Sequence, residues 1–157
     1  RAAEASYLKA NMLVCKMKPY DRSFVSNYFD YSKYLISHLD TPFEGHVSGE
    51  NFVFIVGMPR SGTTLLESLL SMHKKLIPGD ELPYFNTICF GELFKNKRYI
   101  GQPTTDNLSV ISDYYVTKTS TLFSKPNILI DKLPHNFRWI PIISAVFPKA
   151  TIVHISR

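Results

Sequence analysis

Apolar positions in the first 39 residues follow helical periods. In residues 2–17 they recur three or four positions apart, at Ala5, Leu8, Met12 and Cys15, before Pro19. A second stripe runs through residues 23–39, at Phe24, Tyr28, Tyr31 and Leu35. These spacings predict two amphipathic helices whose stripes pack against other parts of the protein, followed by a polar linker that contains glycine.

From residue 51 onward, short apolar runs alternate with helical patterns. The runs NFVFIVG (51–57), NILID (127–131) and ATIVHIS (150–156) are typical of strands buried on both faces. Helical spacing marks residues 63–73, 106–122 and 137–147, and Pro141 should lie in the first turn of the last helix. Strands separated by helices predict an α/β fold with a parallel sheet covered on both faces.

The carboxyl ends of the three predicted strands lie at Gly57, Asp131 and Arg157. Open parallel sheets bind their ligands beyond the carboxyl ends of the strands. We therefore expect these three residues to meet at one edge of the sheet, and we expect the chemistry of the protein to lie there.

Composition narrows the class of ligand. The chain has 157 residues, 45% of them hydrophobic, and a net charge of +5, which fits a globular domain that binds an anion. Its basic residues are dispersed, so nucleic acid is not the expected partner, and no apolar run is long enough for a membrane span. The cysteines and histidines show no metal-ligand spacing, which predicts no metal site, reduced cysteines and a cytoplasmic location.

The loop after the first predicted strand keeps the glycines of a phosphate-binding loop and lacks its lysine. The pattern G-x-x-x-x-G-K-[ST] places Gly57, Gly62 and Thr64 in register, with Thr63 at the lysine position. Backbone N–H groups between a strand and a helix can surround an anion, and the helix N-terminus adds partial positive charge. The sequence predicts an anion site over residues 58–64.

The missing lysine disfavours ordinary ATP or GTP hydrolysis, in which that lysine reaches the β- and γ-phosphates. Two other cations are available at the predicted strand ends, Arg60 in the loop and Lys132 after the second strand. A sulfuryl group carries less charge than a phosphoryl group and needs no Mg²⁺, so these two side chains are suited to a sulfate-transferring enzyme.

These motifs resemble those of the sulfotransferases that use 3′-phosphoadenosine 5′-phosphosulfate (PAPS). PRSGTT is similar to their 5′-phosphosulfate loop, in the variant of protein-tyrosine sulfotransferases and tetratricopeptide-repeat sulfotransferases. PGDELPYF, DKLPHNF and FPKATIVHISR resemble three later segments of the family, in the same order. The resemblance implies a P-loop NTPase-like sheet flanked by helices, with residues 50–157 as the N-terminal half of a sulfotransferase domain. Residues 1–45 resemble the helical segment that follows a repeat region.

The resemblance also implies roles for individual residues. Arg60, Ser61, Gly62, Thr63 and Thr64 would hold the 5′-phosphosulfate, and Arg157 would contact the 3′-phosphate. Glu81 matches the general base that takes the proton of the acceptor hydroxyl, with Asp80 as the competing candidate. Lys132 matches the lysine that stabilises the bridging oxygen of the leaving nucleotide, and Asp131 could orient it. His135 is near enough to touch substrate.

Two other functions stay open at this point. A nucleotide or small-molecule kinase would use ATP and Mg²⁺, with Asp131 as its metal-holding aspartate and Thr63 as a tolerated variant. A non-catalytic adaptor would bind other proteins through its helical N-terminus. For the sulfotransferase, the partners would be PAPS, the product adenosine 3′,5′-bisphosphate and an acceptor hydroxyl on a peptide tyrosine, a carbohydrate or a small alcohol.

Overall fold

The computed structural model describes residues 2–39, 47–122 and 127–156. Its helices are α1 (Ala2–Met17), α2 (Arg22–His38), α3 (Thr63–Leu70), α4 (Tyr84–Leu93), α5 (Thr105–Thr119) and α6 (Ile140–Val146), with a 3₁₀ helix at Pro134–Trp139. Its strands are β1 (Phe52–Gly57), β2 (Leu76–Pro78), β3 (Phe94–Lys95), β4 (Arg98–Tyr99), β5 (Ile128–Asp131) and β6 (Thr151–Ile155).

The main sheet is parallel, in the order β2-β5-β1-β6. Phe52 lies opposite Leu129 of β5, and Val53 lies opposite Thr151 of β6. Because β1 has partners on both sides and helices above and below, its side chains are almost all buried. The predicted α/β fold with a parallel sheet is confirmed, and β1 and β5 end at the same edge. The strand predicted over 150–156 is present as β6, but the prediction that it is buried on both faces is wrong, because β6 is an edge strand of the described sheet and its side chains are exposed or half-buried.

The predicted helices are present, with shifted ends. The helix predicted over 63–73 ends at Leu70, and the one predicted over 106–122 covers Thr105–Thr119, where Thr104 caps its first turn. The segment 137–147 divides into a 3₁₀ turn and α6, and Pro141 lies in the first turn of α6 as predicted.

The sequence patterns did not predict three elements of the structure. Helix α4 is rich in aromatic residues and contains Gly91, so its intrinsic helix propensity is low, and burial of every fourth side chain stabilises it. Strand β2 is only three residues long. The hairpin β3–β4 turns through Asn96 and Lys97, both at positive φ, without the glycine that usually marks such a turn.

Helix α2 packs as predicted. Tyr28, Tyr31 and Leu35 are buried, and the Tyr31 ring stacks on Tyr99 of β4 at 4.8 Å between centroids. The ring of Tyr31 also meets Phe94 of β3 edge-on. The aromatic stripe of α2 therefore joins the hairpin to the core of the sheet domain.

For α1 the packing prediction is wrong within the described residues, because its described side chains are all exposed. Leu8 is 59% exposed and Met12 is 67% exposed. The apolar residues of α1 also include Tyr7 and Leu13, which lie off the predicted stripe, so no single face is apolar enough to specify a contact. No helix in the described ranges is long and apolar enough to cross a membrane.

A buried polar cluster lies at the carboxyl end of β5. Asp131 is 1% exposed, and its Oδ2 accepts a hydrogen bond from the Tyr115 hydroxyl at 3.0 Å. Its Oδ1 accepts a hydrogen bond from Asn136 Nδ2 at 3.3 Å. Burial raises the pKa of Asp131 to about 7, although these hydrogen bonds act in the opposite direction. The cluster ties α5 and the 3₁₀ helix to the end of the strand.

The expectation that Asp131 orients Lys132 is wrong. Successive side chains of a strand point to opposite faces of the sheet, so the Asp131 carboxylate faces Tyr115 while the Lys132 side chain lies on the other side. Lys132 Nζ donates its hydrogen bonds to the carboxylates of Asp80 and Glu81.

The pKa of Asp131 predicts a pH-dependent stability. In the folded protein this pKa, about 7, lies above its ordinary value of 3.8. The folded state therefore holds the proton more tightly, and the stability contributed by this group is present below pH 4 and is lost as pH rises to about 7. Asp131→Asn stays neutral, so its free energy of unfolding relative to the wild type should rise by about 4 kcal/mol between pH 4 and pH 8.

Denaturant unfolding of both proteins at several pH values measures this difference. The matched control is Asp113→Asn, an exposed carboxylate on the same helix as Tyr115, which should give no comparable rise. A difference between Asp131→Asn and the wild type that stays constant from pH 4 to pH 8 would contradict the prediction.

Candidate active site

The loop between β1 and α3 approaches its neighbours too closely for ordinary side chains. A Cβ atom on Gly57 would lie 2.5 Å from the carbonyl oxygen of Ile155, so the end of β1 accepts only glycine. Gly62 has φ +106° and immediately precedes α3, and Ser61 N donates to Met58 O at 3.1 Å. The chain therefore turns tightly around the N-terminus of α3.

Two side chains of this loop have unused hydrogen-bonding capacity. The Ser61 hydroxyl is buried and has no hydrogen-bond partner among the described residues. Arg60 is exposed, has φ +70° and forms no ion pair within the described ranges. A buried hydroxyl donor and an unpaired guanidinium next to a helix N-terminus are the groups that an anion would satisfy.

A cavity of about 480 Å³ lies between this loop and the end of β5. Its lining residues are Pro59, Arg60, Gly62, Thr63, Thr64, Glu81, Leu133, Pro134 and His135. The fold thus brings loop residues 60–64 together with Glu81, which follows α3 and β2 in the chain. His135 reaches the same cavity, and burial, followed by the charge of Arg138, lowers its pKa, which favours the neutral imidazole.

Lys132 lies behind this cavity, surrounded by carboxylates. Its side chain is 3% exposed, and its Nζ lies 2.8 Å from Asp80 Oδ1 and 3.1 Å from Glu81 Oε1. Burial opposes the charge on Lys132, but the hydrogen bonds to Asp80 and Glu81 outweigh it and raise its pKa. The hydrogen bond from Lys132 is the main reason that the pKa of Asp80 is lowered. Both partners are therefore charged at neutral pH.

Residues 79–81, which we call the acidic turn, are fixed to β5 through the backbone. Gly79 N donates to Ile130 O at 2.8 Å, and Lys132 N donates to Asp80 O at 3.0 Å. A Cβ atom on Gly79 would lie 2.7 Å from Ile130 O, so this approach requires glycine. The acidic turn continues the hydrogen bonding of the sheet beyond β2 and places Glu81 at the cavity.

Sequence analysis missed Glu67, which is the only charged residue of α3. Its side chain is buried, its Oε1 accepts a hydrogen bond from Asp80 N at 2.9 Å, and its Oε2 lies 3.9 Å from Lys132 Nζ. Burial raises the pKa of Glu67, although the Asp80 N–H and Lys132 act against this shift. A carboxylate in the leucine-rich run LLESLL was the available signal, since a charged residue on a buried helix face needs a partner.

The structure places most predicted site residues around one cavity. Arg60, Gly62, Thr63, Thr64 and Glu81 line it, whereas Lys132 lies behind Glu81. Ser61 directs a buried hydroxyl into the loop. Arg157 lies outside the described residues, so its role stays a prediction.

Comparison with known proteins supplies independent information on ancestry. A relative from Aquifex aeolicus, an uncharacterised protein, is 34% identical over 124 residues, which are 72% of this chain and 16% of that protein. A relative from Caenorhabditis briggsae, named "Putative protein-tyrosine sulfotransferase", is 28% identical over 114 residues, or 69% of this chain and 40% of that protein. The chain therefore spans less than half the length of either relative.

A family model described as the sulfotransferase family matches residues 52–157. This match covers β1, residues 58–64 (the anion loop), the acidic turn, Lys132 and β6, which are the segments that carry the resemblance seen in the sequence. It extends over more than half of the chain, and the chain belongs to the sulfotransferase family.

Proposed function

We propose that this cavity binds PAPS and that the protein transfers its sulfuryl group to an acceptor hydroxyl. The observation that carries the proposal is the contact between Glu81 and Lys132, 3.1 Å apart, at a cavity that is lined by Glu81 and by the anion loop. A carboxylate base and a buried cation beside a set of N–H donors are the groups that such a transfer requires.

The residues of the loop fit the phosphosulfate. Ser61 supplies a buried hydroxyl without a partner among the described residues, and Thr63 and Thr64 begin α3, where the helix dipole favours negative charge. Arg60 would add a charge-assisted hydrogen bond to the sulfuryl oxygens. Arg157 would contact the 3′-phosphate. These groups would orient the donor and stabilise the charge that develops during an in-line transfer.

Glu81 is the better candidate for the general base than Asp80. Glu81 lines the cavity, whereas Asp80 does not. Both carboxylates accept a hydrogen bond from Lys132, and the contact to Asp80 is the shorter, 2.8 Å against 3.1 Å for Glu81. Glu81 would take the proton of the acceptor hydroxyl as its oxygen attacks sulfur.

Lys132 would stabilise the negative charge on the bridging oxygen as adenosine 3′,5′-bisphosphate leaves. In the present structure its Nζ donates to Asp80 and Glu81. To reach the leaving oxygen, Lys132 Nζ would give up its hydrogen bond to Glu81 and form one to that oxygen, while it keeps its shorter hydrogen bond to Asp80. This exchange would also free the Glu81 carboxylate for the acceptor.

We further propose that the acceptor is a peptide tyrosine. The support is the name of the Caenorhabditis briggsae relative together with the variant of the loop, PRSGTT, that the chain carries. Nothing in the site favours the kinase alternative, because Asp131, its expected metal ligand, is buried and both of its oxygens accept hydrogen bonds from Tyr115 and Asn136. The adaptor alternative is not tested by these observations.

Ligand-dependent thermal unfolding tests the donor site. Adenosine 3′,5′-bisphosphate at a hundred times its dissociation constant should stabilise the protein by about 2.7 kcal/mol. Removing the guanidinium in Arg60→Ala should weaken binding by about tenfold, since a charge-assisted hydrogen bond is lost. Arg98→Ala is the control, because this exposed arginine lies in the hairpin β4, away from the loop. Stabilisation by ATP with Mg²⁺ but not by the bisphosphate would instead favour a kinase.

Kinetics of paired carboxylate variants test the base. Glu81→Gln should lower kcat by about 10² to 10⁴, the usual contribution of a general base, and should leave the affinity for adenosine 3′,5′-bisphosphate nearly unchanged. Asp80→Asn is the matched control, since it removes the neighbouring carboxylate and asparagine tolerates the positive φ of this position. The assay is transfer of radioactive sulfate from PAPS to a tyrosine peptide. A smaller loss of kcat in Glu81→Gln than in Asp80→Asn would contradict the assignment of the base to Glu81, because Asp80→Asn acts through the ion pair of Asp80 with Lys132.

A further inference from the structure

Glu67 has no part in the reaction proposed above, yet its carboxylate is buried beside the acidic turn. It is 6% exposed, and a buried charged side chain is unfavourable unless it is hydrogen-bonded. Its shortest contact is not with another side chain. Glu67 Oε1 accepts the backbone N–H of Asp80 at 2.9 Å.

The backbone that Glu67 holds is in an uncommon conformation. Asp80 has φ +58°, in the left-handed region that residues other than glycine seldom adopt. Such a conformation persists where the surroundings fix it. The carbonyl of Asp80 is fixed by Lys132 N at 3.0 Å, and the preceding Gly79 N is fixed by Ile130 O at 2.8 Å. These two hydrogen bonds join the acidic turn to Ile130 of β5 and to Lys132, the residue after β5. The hydrogen bond between Asp80 N and Glu67 joins the acidic turn to α3.

Helix α3 connects this bond to the anion loop. Thr63, the first residue of α3, lines the cavity, and Glu67 lies four residues later on the same face of the helix. Thr63 and Glu67 are the two buried residues of α3. A rigid helical turn thus links the residues that bind the donor to the backbone of Asp80, and Glu81 is the next residue in the chain.

We propose that Glu67 is a positioning residue whose carboxylate oxygen holds Asp80 in the left-handed conformation and thereby sets Glu81 against the anion loop. The part of this proposal that concerns catalysis rests on the proposed function. The relevant property of Glu67 is the acceptor oxygen, because its other oxygen lies 3.9 Å from Lys132 Nζ, beyond hydrogen-bonding distance.

Two substitutions separate the acceptor oxygen from the charge. Glu67→Gln keeps an oxygen that can accept the Asp80 N–H and removes the charge. Glu67→Met keeps a similar length and volume and removes the acceptor. If the acceptor is what matters, the glutamine variant should resemble the wild type and the methionine variant should differ.

Amide hydrogen exchange measures directly how well the Asp80 N–H is held by its hydrogen bond to Glu67. In Glu67→Met the amide of Asp80 should exchange about tenfold faster than in the wild type, since its hydrogen bond is lost. In Glu67→Gln it should exchange at nearly the wild-type rate. The amide of Ile55, in the middle of β1, is the internal reference for any loss of global stability. Unchanged protection of Asp80 in Glu67→Met, or equally fast exchange in both variants, would overturn the proposal.

Kinetics then test the consequence for catalysis. With PAPS and the tyrosine peptide, Glu67→Met should lower kcat by about tenfold or more, because a misplaced reacting group is costly, while its affinity for adenosine 3′,5′-bisphosphate stays within about threefold of the wild type. Glu67→Gln should retain most of kcat. A kcat of Glu67→Met equal to that of the wild type would overturn the catalytic part of the proposal.

The two proposals fail in distinguishable ways. A wild-type protein that does not bind adenosine 3′,5′-bisphosphate contradicts the proposed function, and the exchange rate of the Asp80 amide still decides whether Glu67 holds the acidic turn. Normal bisphosphate binding combined with unchanged exchange in Glu67→Met contradicts the positioning role alone.

Discussion

The candidate site depends on the ion pair and backbone hydrogen bonds that hold the acidic turn at the end of β5. Lys132 contributes twice, because its N–H donates to Asp80 O and its ammonium lies 2.8 Å from Asp80 Oδ1. A buried lysine is costly unless it is paired, and Lys132 is paired with two carboxylates that are themselves largely exposed. Loss of the lysine would therefore release the acidic turn and leave the buried carboxylate of Glu67 without a nearby cation. Stability and chemistry thus depend on the same group.

Parallel strand order explains why such a short segment of chain can build this arrangement. Because β1 and β5 are adjacent and parallel, their carboxyl ends lie at one edge, and the anion loop and Lys132 follow these ends directly. Two close backbone approaches, at Gly57 and at Gly79, bring the loop and the acidic turn within reach of their neighbouring strands. The sheet fixes the positions of the strand ends, and the absence of a side chain at Gly57 and Gly79 allows the backbone to approach them closely.

The sequence predicted the elements whose signal is local and periodic. The strands β1, β5 and β6 and the loop after β1 could be placed because apolar runs and motif order determine them, whereas the partial exposure of β6 could not, since its place at the sheet edge is set by tertiary structure. Side-chain direction at a strand end could not, since whether Asp131 or Lys132 faces the site depends on the register of β5. The exposure of α1 was also invisible, because an apolar stripe does not specify its partner. The role of Glu67 depends on a contact between its side chain and a backbone amide 13 residues later, and no local pattern encodes that contact.

The structure bears on why Thr63, and not lysine, stands at the lysine position of the nucleotide-binding pattern. Thr63, which occupies the lysine position of the nucleotide-binding pattern, is 5% exposed and begins the helical face that continues to Glu67. A lysine there would add a second buried charge close to that of Lys132. Moving the cation to the neighbouring strand end gives it two carboxylate partners at hydrogen-bonding distance, so that it stays charged in a buried position. A sulfuryl donor, which needs no metal bridge between its phosphates, is compatible with a cation that approaches from this side of the site rather than from within the loop.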